Sequence, residues 1–106
     1  MARATATLDS FAALAEPRRR QVLESLAGRE QSVNELVRQL GWPQPQVSKH
    51  LAVLRQVELV ILRQEGRQRL YRINGAPMKR IHEWTGMFER FWNRQLLAIK
   101  HHAENS

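Results

Sequence analysis

Between Ser32 and Leu54 the chain reads SVNELVRQLGWPQPQVSKHLAVL, and no other stretch constrains the fold as much. Val33, Leu36, Val37 and Leu40 recur at i, i+3, i+4 and i+7, one apolar face of a 3.6-residue helix. Ser32 with Glu35 three residues on is a capping box, in which each side chain meets the other's orphan backbone N–H. Gly41 gives the chain the freedom to end that helix and turn. A second helix starts at Gln44 or Pro45, because proline fits a first turn that needs no N–H. It buries Val47, Leu51 and Leu54 at i, i+4 and i+7, and turns Gln46, Ser48, Lys49 and His50 outward. A core needs none of those four. Two short helices, a glycine turn and a donor-rich outer face spell a helix-turn-helix whose second helix suits the DNA major groove.

The flanking segments complete one domain. Leu8, Phe11, Ala12, Leu14 and Ala15 make a short apolar helix with Asp9 or Ser10 near its cap, and Pro17 starts another that buries Val22, Leu23 and Leu26. Gly28 closes it. Arg18, Arg19 and Arg20 read as a solvated face paired with Glu16 or Glu24 rather than as phosphate contacts. Beyond the helix-turn-helix, Val60–Arg63 and Arg67–Ile73 are two branched-rich strands, with Gln64, Glu65 and Gly66 as the turn. Tyr71 and Ile73 share the core face of the second strand, and Gln68 and Arg72 point away.

Charge decides what this hairpin is for. The 106-residue chain carries a formal +7, which favours polyanions. From Pro43 to Asn74 the basic residues are Lys49, Arg55, Arg63, Arg67, Arg69 and Arg72, against the acids Glu58 and Glu65 alone. A solvated hairpin has no need of so many arginines, whereas a wing touching phosphate or minor groove does. The segment 76–102 is one long helix opened by Pro77, striped by Ile81, Trp84, Thr85, Phe88, Trp92, Leu96 and Ile99 and widened by Met87 and Phe91. That is more aromatic surface than a terminal helix leaves in water. Phe11, Ile81, Trp84, Phe88, Phe91, Trp92, Leu96 and Ile99 are therefore the expected homodimer interface, which would set two recognition helices about one DNA turn apart.

The order of these elements resembles the ArsR/SmtB family of winged-helix repressors over about residues 11–97. The likeness rests on Glu16-Pro17-Arg18-Arg19, on the string Gln44-Pro45-Gln46-Val47-Ser48-Lys49-His50-Leu51-Ala52-Val53-Leu54, and on Leu59-Val60, Glu65-Gly66-Arg67 and Leu70-Tyr71 in the wing. The resemblance implies a homodimer that binds a palindromic operator, usually its own promoter, and blocks transcription. The family's effector sites do not carry over. Ser32 and Asn34 stand where many members have a metal-binding Cys-x-Cys, and Gly75, Pro77, Phe88 and Phe91 stand where others have Asp-x-His and His-x-x-Glu. Pro43 stands where the family often has a serine cap.

The expected fold is thus mainly α with a small β-hairpin: a single winged helix-turn-helix domain, 1–106, of about five helices, homodimeric through the terminal helices. Its parts are N-terminal helices over 8–27, the helix-turn-helix over 32–56, the wing over 60–73 and a dimerisation helix over 76–102. Expected DNA contacts are Gln44, Gln46, Ser48, Lys49 and His50 at base edges, and Arg63, Arg67 and Arg69 on the wing, with Arg55 weaker. With no cysteine, disulfides and thiolate metal sites are excluded, and a reducing cytoplasm is the expected location. The opening MARATATLDSFAALAEP lacks the apolar run of a signal peptide or membrane anchor. No cofactor and no metal is expected: His101, His102 and Glu104 lack a second ligand cluster, and His82 reads as a surface residue. No nucleophile triad, carboxylate pair or phosphate-cradling loop supports an enzyme. Two other readings use the aromatic helix differently. One is a protein-docking module with sequence-blind DNA affinity, and the other a sensor with a ligand among Trp84, Phe88 and Trp92.

Overall fold

The computed structural model describes residues 9–105, with side chains through Lys100. Helix α1 (Ser10–Leu14) is capped by the Asp9 carboxylate, which accepts from Ala12 N at 2.9 Å. Helix α2 (Pro17–Leu26) is capped by Glu16, which accepts from Arg18 N at 3.0 Å. Strand β1 (Gln31–Ser32) leads into α3 (Val33–Leu40). Both halves of the capping box are made there: Glu35 N donates to Ser32 Oγ (3.2 Å) and Ser32 N to Glu35 Oε1 (2.8 Å). Gly41, at φ +72°, ends α3 in the left-handed region.

Helix α4 (Gln44–Gln56) is the hub. Its Val47, Leu51 and Leu54 are fully buried with Val22, Leu23 and Leu26 of α2, Leu36 of α3, and Leu59 and Val60 beyond its end. α4 ends without glycine: Glu58 takes φ +63°, Leu59 N donates to Leu54 O (2.9 Å) and Glu58 N to Arg55 O (3.0 Å). Those two bonds are the Schellman pattern. Asn74 secures the turn by donating through Nδ2 to Glu58 O and through its backbone N to Leu59 O, each at 2.9 Å.

Strands β2 (Val60–Glu65) and β3 (Gln68–Ile73) form an antiparallel hairpin running from Val60↔Ile73 to Glu65↔Gln68. The first strand runs two residues further toward the tip than expected and the second starts one residue later, at Gln68, leaving Gly66 and Arg67 as a two-residue turn with Gly66 at φ +61°. Tyr71 and Ile73 pack against the core as expected, and Gln68 and Arg72 are exposed. β1 was not expected. It adds two residues to the free side of β3, giving the order β1-β3-β2.

The terminal segment is not one helix. It divides into α5 (Gly75–Gly86) and α6 (Glu89–Asn105), so the described residues form six helices rather than about five. At the joint the Thr85 hydroxyl donates back to His82 O (3.0 Å), and the Met87 and Phe88 amides tighten onto Trp84 O and Thr85 O. Hydroxyl back-bonding beside a poor helix former, Gly86, bends a helix at such a point. Asn74 caps α5, ahead of the expected start at residue 76. No described helix is long and apolar enough to cross a membrane.

Candidate nucleic-acid interface

The buried face of α4 dictates what its other face can offer. With Val47, Leu51 and Leu54 inward, Pro45, Lys49, Ala52 and Gln56 form an exposed line at i, i+4, i+7 and i+11. Gln44, exposed, and Ser48, half-buried, lie on one flank and are joined by a 2.8 Å bond from Gln44 Nε2 to Ser48 Oγ. Gln46 is half-buried on the other flank, and Arg55 is exposed in the last turn. Sequence reasoning passed over Pro45, Ala52 and Gln56. The i+4 and i+7 spacing from Pro45 through Lys49 was the signal that could have found them.

His50 does not face outward. It is 6% exposed, on the core side with Val47 and Leu54, its ring edge-on to Trp42 at 6.2 Å. At i+3 from Val47 it widens the apolar stripe, and the indole supplies the partner an imidazole can pack on. Its Nδ1 is buried without a hydrogen bond. Burial first, then the charges of Arg19, Lys49 and Arg18, hold its pKa below the ordinary 6.5, with Glu16 opposing. The folded state therefore binds this proton less readily than the unfolded chain. Stability from His50 is complete above pH 6.5 and is lost as pH falls through the lower folded pKa. His50→Gln is expected to flatten the pH dependence of urea unfolding between pH 7 and 5, a window above carboxylate titration. A variant whose stability falls as steeply as wild type there would contradict it.

The arginine run of α2 also works differently from a face paired with Glu16 or Glu24. Arg19 Nε and Arg20 Nη1 donate to Ala13 O and Leu14 O (2.6 Å each), tying the end of α1 to α2. The Arg18 guanidinium lies 5.1 Å over the Trp42 ring, just before α4.

On the wing, Arg67 sits at the turn and Arg69 on β3, both exposed. Neither they nor Lys49 and Arg55 have an ion-pair partner among the described residues. Arg63 differs: it donates to Glu30 through Nε (3.1 Å) and Nη2, and to Glu65 at 3.2 Å. These bonds hold the guanidinium pKa further above its usual range and the Glu30 carboxyl below its own. Arg63, expected as a wing or phosphate contact, thus already holds two carboxylate partners in the DNA-free chain, unlike Arg67 and Arg69. Its partner Glu30 lies outside the hairpin, which is why local spacing did not reveal the pair.

At the other end of the domain, Phe11 meets Trp84 edge-to-face at 5.3 Å and Trp84 meets Phe88 at 5.1 Å. Ile81 is half-buried against the core, while Trp84, Phe88, Phe91, Trp92, Leu96 and Ile99 are exposed in the single chain. An open groove of about 450 Å³ between α5 and α6 is lined by His82, Thr85, Glu89, Trp92, Asn93 and Leu96. Trp84 and Phe88 lie outside it, so the three aromatics expected to line one pocket do not do so. Among the described residues no group of three or more His, Asp or Glu is placed to hold a metal. The side chains of His101, His102 and Glu104 lie outside the described residues.

Known proteins resemble this chain in sequence and in fold. Residues 16–61 match the family described as "Bacterial regulatory protein, arsR family". The HTH-type transcriptional regulator Rv2034 of Mycobacterium tuberculosis is 37% identical over 87 residues, 82% of this chain and 78% of that protein. The HTH-type transcriptional regulator KmtR of the same organism is 46% identical over 74 residues, 70% of this chain and 57% of that protein. A solved ArsR-like transcriptional regulator from Rhodococcus sp. RHA1 superposes with a TM-score of 0.67 at 32% identity, over 86% of each chain. The fold is an ArsR-like winged helix, the fold of a class of transcriptional regulators. This chain belongs to the arsR family of bacterial regulatory proteins.

Proposed function

We propose that the chain is a dimeric repressor, acting in the cytoplasm on its own promoter or a similar palindromic site. The observation that carries this is the two-sided character of α4. One face holds the core together, and the other is a line of exposed residues around an unpaired Lys49. In this reading Gln44, Gln46, Ser48 and Lys49 meet base edges in the major groove, with Pro45, Ala52 and Gln56 beside them. Arg67 and Arg69 contact the backbone or minor groove, and Arg55 the flanking phosphates. His50 supports α4 from beneath. The exposed aromatics of α5 and α6, with Phe11, pair two copies so that two α4 helices fall about 34 Å apart.

The two kinds of contact predict two kinds of variant. Lys49→Ala is expected to cost about 1–3 kcal/mol on the cognate site and to flatten sequence preference. Arg67→Ala is expected to weaken all DNA alike and to lower the salt slope by about 0.9 per subunit. Fluorescence anisotropy against cognate and scrambled duplexes over a salt series reads both. If both variants bind like wild type, α4 is not in the groove.

A further inference from the structure

The carboxylates that Arg63 holds lie in telling places. The order β1-β3-β2 puts β3 between Arg63 on β2 and the start of β1. Arg63 stands opposite Leu70, and Leu70 opposite Ser32, so the three form one row across the sheet. Residues directly opposite share a face. Arg63 therefore leaves β2 on the Leu70 side and reaches across the central strand to Glu30, the residue before β1. Leu70, on that same face and away from Tyr71 and Ile73, is 8% exposed.

The far end of the bridge matters as much. Glu30 runs through β1 straight into Ser32, whose side chain caps the first helix of the helix-turn-helix. A two-stranded ribbon has little rigidity of its own, and β1 adds only two residues of pairing. A two-pronged arginine–carboxylate contact fixes direction as well as distance.

We infer that the Arg63–Glu30 pair is a clip that sets the wing's angle against the helix-turn-helix, making Arg63 a positioning residue for DNA binding. The clip rests on the DNA-binding reading above. It assigns Arg63 and Glu30 the same sign of effect, although their charges are opposite.

That sign is the test. If Arg63 touched phosphate, Glu30 would compete for it, and Glu30→Gln would free the guanidinium and tighten binding. With the clip, Glu30→Gln and Arg63→Ala each weaken binding to the cognate duplex, roughly three- to tenfold. Glu30→Gln raises the net charge, so its loss of affinity cannot be electrostatic. The double variant binds no worse than Arg63→Ala alone, because both changes remove one interaction. Amide hydrogen exchange without DNA supplies a separate readout: residues 66–69 exchange faster in both single variants. Unchanged exchange, or Glu30→Gln binding as tightly as wild type or tighter, overturns the clip. A wild-type chain that binds no DNA while the variants' wing amides still speed up overturns the DNA-binding reading and leaves the clip as a structural device.

Discussion

A variant carrying Trp92→Glu and Leu96→Glu is expected to fold, to sediment as a monomer, and to lose roughly a hundredfold to ten-thousandfold in affinity for a two-fold DNA site. In the single chain Trp92 is 57% exposed and Leu96 62%, so charging them removes nothing from the core. What it removes is an apolar face that monomeric proteins rarely leave in water. Two glutamates per copy, brought together across a two-fold axis, repel and are desolvated. Each remaining monomer then engages one half-site and forfeits the gain from linking two. Sedimentation velocity and anisotropy on one preparation check both halves of this. A variant that stays dimeric would move the interface elsewhere, and a monomer that binds undiminished would mean that one subunit suffices.

Leu54→Ala should cost about 2–5 kcal/mol of folding stability, a large part of the roughly 5–15 kcal/mol typical of a small domain. Leu54 has no exposed surface, lies on α4 amid side chains from α2, α3 and β2, and gives its carbonyl to the Leu59 amide that ends the helix. The buried cluster it belongs to is mostly leucine and valine, and a close-packed core relaxes only in part around a lost side chain. Urea unfolding followed by circular dichroism measures the loss. Lys49→Ala, on the opposite side of the same helix, should change stability by no more than about 0.5 kcal/mol. Equal costs at the two positions would contradict the assignment of faces.

How these elements were legible follows from the range of the forces that make them. The capping box, Gly41 and the start of α4 at Gln44 come from interactions within one helical turn, and the chain displays them directly. Alternation within β3 likewise placed Tyr71 and Ile73 on the core. What stayed hidden depends on distant partners. β1 exists because two residues after Gly28 pair with Tyr71 and Leu70. Arg63 looked free because its partner Glu30 lies 33 residues away. His50 was turned outward because imidazoles are usually at least partly wet, yet Trp42, eight residues earlier and across the turn, packs on it. The division of the last helix escaped notice because the aromatic stripe keeps its phase through Gly86, and the break shows only in the Thr85 hydroxyl bond and the tightened Met87 and Phe88 amides. Glu58 in a left-handed turn had no glycine to announce it.

The most direct test of the central claim is fluorescence anisotropy of the wild-type chain on DNA from upstream of its own gene. It is run beside a scrambled duplex of equal length, across a salt series, with EDTA and with added zinc. The account predicts a preference of at least roughly a thousandfold for the upstream DNA, persisting as salt rises and electrostatic binding to the scrambled duplex fades. The same preference is expected with EDTA and with zinc. Equal binding to both duplexes, falling away together with salt, would mean that α4 reads no sequence. The aromatic face would then be the place to seek a protein partner.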